Sequence, residues 1–231
     1  MQKVFQNYNC RAFIVVLIIL CSFLFPQQAM AHANSSALVN LSRTDIFFVY
    51  LQLGFTHIIP LGFDHILFIL SLFLLSPKLK TIIWQATAFT VAHSITLGLA
   101  MYNLVAAPSH IIEPIIALSI MFVAIENIIT DKLKPTRILV VFAFGLIHGL
   151  GFAGVLKDLG LPQREFVNAL ISFNLGVELG QLAIILGAWW LFGKWFNQKP
   201  WYRKLIVNPL SAVIAVIAIF WTIQRAFFPD F

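Results

Sequence analysis

Long apolar runs that never alternate leave this chain few possible folds. The stretch IIPLGFDHILFILSLFLL shows none of the period-two patterning that a half-buried strand requires. Of its 231 residues, 60% are hydrophobic and 10% charged, against about 25% charged in an ordinary soluble domain. So short a chain cannot hide that much apolar surface in a water-soluble core. A bilayer can, provided each crossing segment satisfies its own backbone hydrogen bonds. Helices do this locally, whereas a transmembrane barrel needs alternating apolar and polar positions. The predicted fold is therefore all-α, a polytopic membrane helical bundle.

Six apolar segments, near 62–76, 81–105, 111–129, 136–156, 164–192 and 206–226, approach the length that a bilayer core requires. Short connectors between them imply one domain over 32–231. The formal charge of +6 does not signal nucleic-acid binding, because the basic residues sit in those connectors. Lys78, Lys80, Lys132, Lys134, Arg137, Lys194, Lys199, Arg203 and Lys204 fall in alternate connectors, and Lys157 and Arg164 in the others are balanced by Asp158 and Glu165. The positive-inside rule then puts the strongly basic connectors in the cytoplasm and the start of the bundle outside. A seventh crossing at 45–60 would invert this pattern, so Asp45–Ile59 is predicted as an interfacial or re-entrant helix on the outer side.

The amino terminus reads as a signal peptide over residues 1–31. Lys3 and Arg11 precede the apolar run AFIVVLIILCSFLF, and Ala29-Met30-Ala31 supplies a small-residue cleavage pattern. An uncleaved anchor is the alternative. Cleavage would expose His32, whose imidazole and free α-amine could chelate a metal together; the plainer reading leaves His32 solvated. Both cysteines, Cys10 and Cys21, lie in this leader, so the rest of the chain has neither a disulfide framework nor a thiolate metal site.

Ionisable residues recur inside the apolar segments, where they are costly and usually face a bundle interior or a water-filled path. His57, Asp64 and His65 flank the start of the first segment, while His93, His148 and Glu178 fall near mid-segment. Glu126 lies near the cytoplasmic side. At about 1.5 Å of rise per residue, this predicts an outer group (His57, Asp64, His65) and a middle group (His93, His148, Glu178). Imidazole and carboxylate donors suit a borderline divalent ion such as nickel, cobalt or zinc. Asp64 could instead act as an acceptor that orients an imidazole. Gly145, Gly149 and Gly151 surround His148, and Gly176 and Gly180 flank Glu178. Small residues so spaced allow close helix packing, which predicts that His148 and Glu178 approach each other. His110, in a connector, and Glu113, beside Pro114 at an edge, are read as solvated groups.

At these positions the chain resembles the HupE/UreJ family of hydrogenase and urease accessory membrane proteins. The resemblance rests on GFTHIIPLGFDHILF (54–68), FTVAHSITL (89–97), the glutamate of AIEN (124–127), FGLIHGLGFA (144–153) and FNLGVELGQ (173–181). It implies a signal peptide, a helical bundle in a bacterial cell membrane, and transport of nickel or a related metal. A metalloenzyme maturation system is the partner that it suggests. The spacing His57-x6-Asp64-His65 is longer than in the nickel/cobalt permeases, which suggests a divergent branch.

Three functions follow as expectations. The first is a permease that captures metal at His57, Asp64 and His65, passes it through His93, His148 and Glu178, and releases it near Glu126. No nucleotide-binding P-loop motif occurs in the sequence. The second is an intramembrane zinc hydrolase, with His93, His148 and Asp64 on the metal and Glu178 as general base. That enzyme would lack the H-E-x-x-H motif, and Ser94 would be a weak nucleophile. The third is a sensor or delivery protein.

Overall fold

A computed structural model describes residues 42–159 and 165–228. The leader at 1–31 and His32 lie outside them. Seven main helices follow in order: α1 Arg43–Ile58, α2 Phe63–Leu75, α3 Leu79–Met101, α4 Ser109–Ile129, α5 Arg137–Leu159, α6 Phe166–Ala188 and α7 Asn208–Phe227. A π-helical turn, Trp189–Gly193, and the short helix Lys194–Phe196 extend α6; a second π-helical turn, Arg203–Val207, leads into α7. There is no strand among the described residues.

Local chemistry explains where the first helix begins and ends. Ser42 and Asp45 form a reciprocal capping box, in which the Asp45 amide donates to Ser42 Oγ at 3.2 Å and the Ser42 amide to the Asp45 carboxylate at 3.3 Å. At the other end Ile59, directly before Pro60, is extended at φ −125° and ψ 118°, as the proline ring demands of its predecessor. The chain then turns so tightly that a Cβ on Gly62 would overlap the His57 carbonyl oxygen. Only glycine fits there, and α2 departs at 66° to α1.

Three helix pairs build the bundle, and their contacts fix the direction of each. Arg43 lies 3.5 Å from Glu165 at the start of α6, and its carbonyl accepts from Asn168 Nδ2 at 3.0 Å. Further along, Gly54 packs on the Phe173 carbonyl and Gly180 on Ile58. Helices α1 and α6 are therefore parallel. Gly145 packs on Phe89 and Gly149 on His93, so α3 and α5 are parallel as well. Arg203, just before α7, donates to the carbonyls of Asn127, Ile128 and Thr130 at the end of α4, and Arg225 near the end of α7 donates to the Glu113 carbonyl near the start of α4. That pair is antiparallel.

Helices α3, α4, α5 and α6 and the segment leading through α7 are each long and apolar enough to cross a bilayer, and the bent pair α1–α2 passes the same test together. The expected first crossing at 62–76 is only the 13-residue α2, about 20 Å of helix against a core of about 30 Å. Helices α1 and α2 pass the test of length and hydropathy together, as a pair bent by 66°. Helix α1 lies along the first part of α6, and α2 continues along the second part, where Ile69 and Phe73 join Ile185 and Ala188 in one core. The segment expected at 45–60 as an outer interfacial or re-entrant helix is packed in the bundle, with Ile46, Tyr50, Gly54 and Ile58 buried, and its 66° bend into α2 is the geometry of a broken crossing or of a re-entrant loop. A broken crossing keeps the charge pattern intact: Lys78, Lys80, Lys132, Lys134, Arg137, Lys199, Arg203 and Lys204 all fall at one end.

Candidate metal centre

The break between α1 and α2 delivers two histidines to the middle of the bundle. His57 sits in the last turn of α1, and His65 in the first turn of α2. Helix α3 brings His93 and helix α5 brings His148. Ring centroids lie 4.7 Å apart for His57 and His65, 6.2 Å for His57 and His93, 6.0 Å for His65 and His93, and 5.3 Å for His65 and His148. One ring nitrogen from each of His57, His65 and His93 falls within 4.8 Å of the others, which is a geometry that could hold a metal ion.

The two groups predicted from depth are therefore one cluster. His65 does not lie at an end of the bundle, because α1 precedes α2 along α6 and places the start of α2 beside His57 at the end of α1. His93 is 14 residues into α3 and His148 is 11 into α5, counted from the basic end, while His57 is 14 into α1 from the opposite end. At about 1.5 Å per residue, all three reach similar depth.

The chemistry of the cluster is that of free lone pairs in a dry place. His65, His93 and His148 are buried, with 6%, 0% and 2% exposure. His148 Nδ1 lies 2.8 Å from the Phe144 carbonyl oxygen. A carbonyl can only accept, so Nδ1 carries the proton and Nε2 keeps its lone pair. That Nε2, together with Nε2 of His57 and Nε2 of His65, is enclosed without a hydrogen-bond partner, while His93 has the Asn174 side chain as its polar neighbour. An orphaned buried polar group costs about 1–3 kcal/mol, so several at one point are a marked departure from ordinary packing. Aromatic rings wall the site: Phe152 lies 3.9 Å from His57 and Phe89 4.8 Å from His148, centroid to centroid. Phe68 and Phe89 are fully buried.

Three acidic candidates turn elsewhere. Asp64 Oδ2 accepts from Arg225 Nη2 at 3.1 Å, while Oδ1 lies at ion-pair distance, 3.1 Å, from the same nitrogen and is enclosed without a hydrogen-bond partner. Glu126 pairs with Arg137 Nη1 at 3.0 Å, and the Arg137 side chain is only 2% exposed. Glu178 accepts from Thr87 Oγ1 at 2.6 Å across the seam of α6 and α3, and its other oxygen is enclosed without a partner. Gly145 and Gly149 of α5 pack on α3, Gly151 packs on Ile112 and Ile116 of α4, and Gly176 and Gly180 of α6 pack on α1. The Ser94 hydroxyl donates to the Thr90 carbonyl at 2.6 Å and is spent within its own helix.

Two neighbours of the site escaped the sequence reading. Arg225 could have been noticed as a cation well inside the last apolar segment. Asn174, beside His93, lies four residues before Glu178 in the same motif, one helical turn away. Thr87 carried no signal, because a threonine in an apolar helix usually bonds its own backbone.

Fold and site together define a class: a polytopic α-helical membrane protein with a buried imidazole cluster at the bend between its first two helices. The chain belongs to the HupE / UreJ protein family, whose description matches residues 33–225. No curated protein and no solved structure matches it.

Proposed function

We propose that this protein carries a divalent transition metal, nickel or cobalt in preference to zinc, across a bacterial cell membrane from the outside inward. In this reading residues 1–31 are a cleaved signal peptide, the mature amino terminus lies outside, and a metalloenzyme maturation system receives the metal. The observation that carries the proposal is the convergence of ring nitrogens of His57, His65 and His93, with His148 beside His65, among which Nε2 of His57, His65 and His148 is enclosed without a hydrogen-bond partner. With Asp64 held by Arg225, the donors are nitrogens, and imidazole suits first-row divalent ions from cobalt to zinc. A broken helix at mid-depth is a recurrent way for transporters to present ligand groups. Membership of the HupE / UreJ family supports a link to nickel handling.

Transport is favoured over hydrolysis by the state of the side groups. The hydroxyl of Ser94 is engaged by its own helix, and the expected general base, Glu178, accepts from Thr87 through one oxygen and stands outside the group of ring nitrogens that could hold a metal. The test is uptake into proteoliposomes that contain a metal-sensitive dye, with nickel, cobalt and zinc offered separately. Wild type should accumulate metal, and His65→Ala should slow uptake by about tenfold or more. Equal rates for the two proteins would overturn transport through this centre, and hydrolytic turnover by a zinc-loaded protein that moves no metal would replace it with the enzyme reading.

A further inference from the structure

The four histidines come from different packing units. His57 belongs to the α1–α6 pair, and His93 and His148 to the α3–α5 pair. His65 stands on α2, the short half of the bent pair, and α2 is tied at both ends to the third pair. At its inner part, Asn127 Nδ2 of α4 donates to the Ser71 carbonyl at 2.7 Å. At its start, Arg225 of α7 grips Asp64.

The second tie has unusual support. Gly62 gives α2 no side-chain cap, so the Asp64–Arg225 pair is the side-chain anchor at that end. Arg225 Nη2 reaches both Asp64 oxygens at 3.1 Å, Nη1 lies 3.4 Å from the Glu113 carbonyl, and the guanidinium sits 5.2 Å over the Trp221 ring. Both partners are largely shielded, at 22% and 27% side-chain exposure. A guanidinium held by three groups has little freedom to wander. A half-helix of 13 residues pinned one position before a ligand histidine has little freedom to rotate that histidine away.

We propose that Arg225 is a positioning residue for the metal centre. By holding Asp64, it sets the rotation of α2 so that His65 faces His57 and His93, and it keeps the Asp64 carboxylate out of the donor set. The proposal rests on the reading of the four-histidine cluster as a metal centre. Without Arg225, a partly buried carboxylate beside His65 would have no cation except the metal itself. The centre would then change from nitrogen donors to a mixed nitrogen and oxygen set, which favours harder ions.

The experiment uses the full chain purified in detergent, with cobalt(II) as the probe and histidine labelled with nitrogen-15. Wild type is compared with Arg225→Met, Arg225→Lys and Asp64→Asn, and His65→Ala assigns the His65 resonance. Arg225→Met should move the His65 resonance, shift the visible spectrum of bound cobalt and weaken its binding by about tenfold. Arg225→Lys should stay nearer to wild type in all three. If Arg225→Met does not fold, Asp64→Asn weakens the same tie with nearly the same shape, since it removes the charge and one of the two acceptor oxygens, and should also move the His65 resonance, by a smaller amount. An unmoved resonance in the folded variants overturns the proposal. A wild type that binds no cobalt, but whose His65 resonance still depends on Arg225, overturns the metal reading and leaves the positioning role standing.

Discussion

Two polar regions of this bundle differ in what their side chains join: one links helix to helix through hydrogen bonds and ion pairs, the other gathers imidazoles at one point. At the basic end, Asn127 donates to the Ser71 carbonyl and to Ser211 Oγ, Arg137 donates to Asn127 Oδ1 and pairs with Glu126, and Arg203 closes the carbonyls at the end of α4. The network ties α2, α4, α5 and the entry to α7 together, although Ser71 Oγ, Arg137 Nε, the Tyr202 hydroxyl and Asn208 Oδ1, on residues scattered along this end, are enclosed without a hydrogen-bond partner. At mid-depth, four histidines meet, and Nε2 of His57, His65 and His148 has no partner. Buried polar groups that serve the fold are mostly satisfied by it. Groups kept unsatisfied at a single point are suited to something that arrives from outside the chain.

The contrast can be broken first at the basic end. Arg137→Met would leave the Glu126 carboxylate without its cation, and breaking a buried pair in this way costs about 3–5 kcal/mol. Unfolding in detergent should show that loss, while the protein that remains folded keeps its metal affinity. The centre should respond in the opposite sense. His65→Ala is expected to lower cobalt or nickel affinity by about a hundredfold, at the upper end of what perturbing a metal site usually costs. Its unfolding midpoint should hold or rise, because an unsatisfied group has been removed. A large drop in stability would mean that the histidines serve the fold.

Between these lies a packing test. A Cβ at Gly149 would overlap the His93 carbonyl oxygen, so Gly149→Ala must push α5 from α3 and separate His148 from His93. Overpacking of this kind costs about 1–3 kcal/mol, and metal affinity should fall with stability in this variant, as in neither of the first two. The smallest effect is expected for Glu178→Gln. The amide oxygen can still accept from Thr87, so metal affinity should change by less than about threefold, the scale of one modest hydrogen bond. A loss as large as that of His65→Ala would bring Glu178 into the donor set.

By itself the sequence determined the class of fold. Non-alternating apolar runs force helices in a bilayer, and the basic connectors order them, since both constraints are local and one-dimensional. It also singled out His57, His65, His93 and His148, because an ionisable group in an apolar run is visible wherever the run lies. Tertiary structure alone decided that these four meet. The Pro60–Gly62 break bends the first helix pair into two half-helices, and that turn brings His65 from an apparent surface position to the depth of His93. It also decided what the carboxylates do. Asp64 lies 161 residues from Arg225 along the chain, and Glu178 lies 91 from Thr87. No spacing rule joins residues so far apart, because their pairing follows from which helix faces pack together.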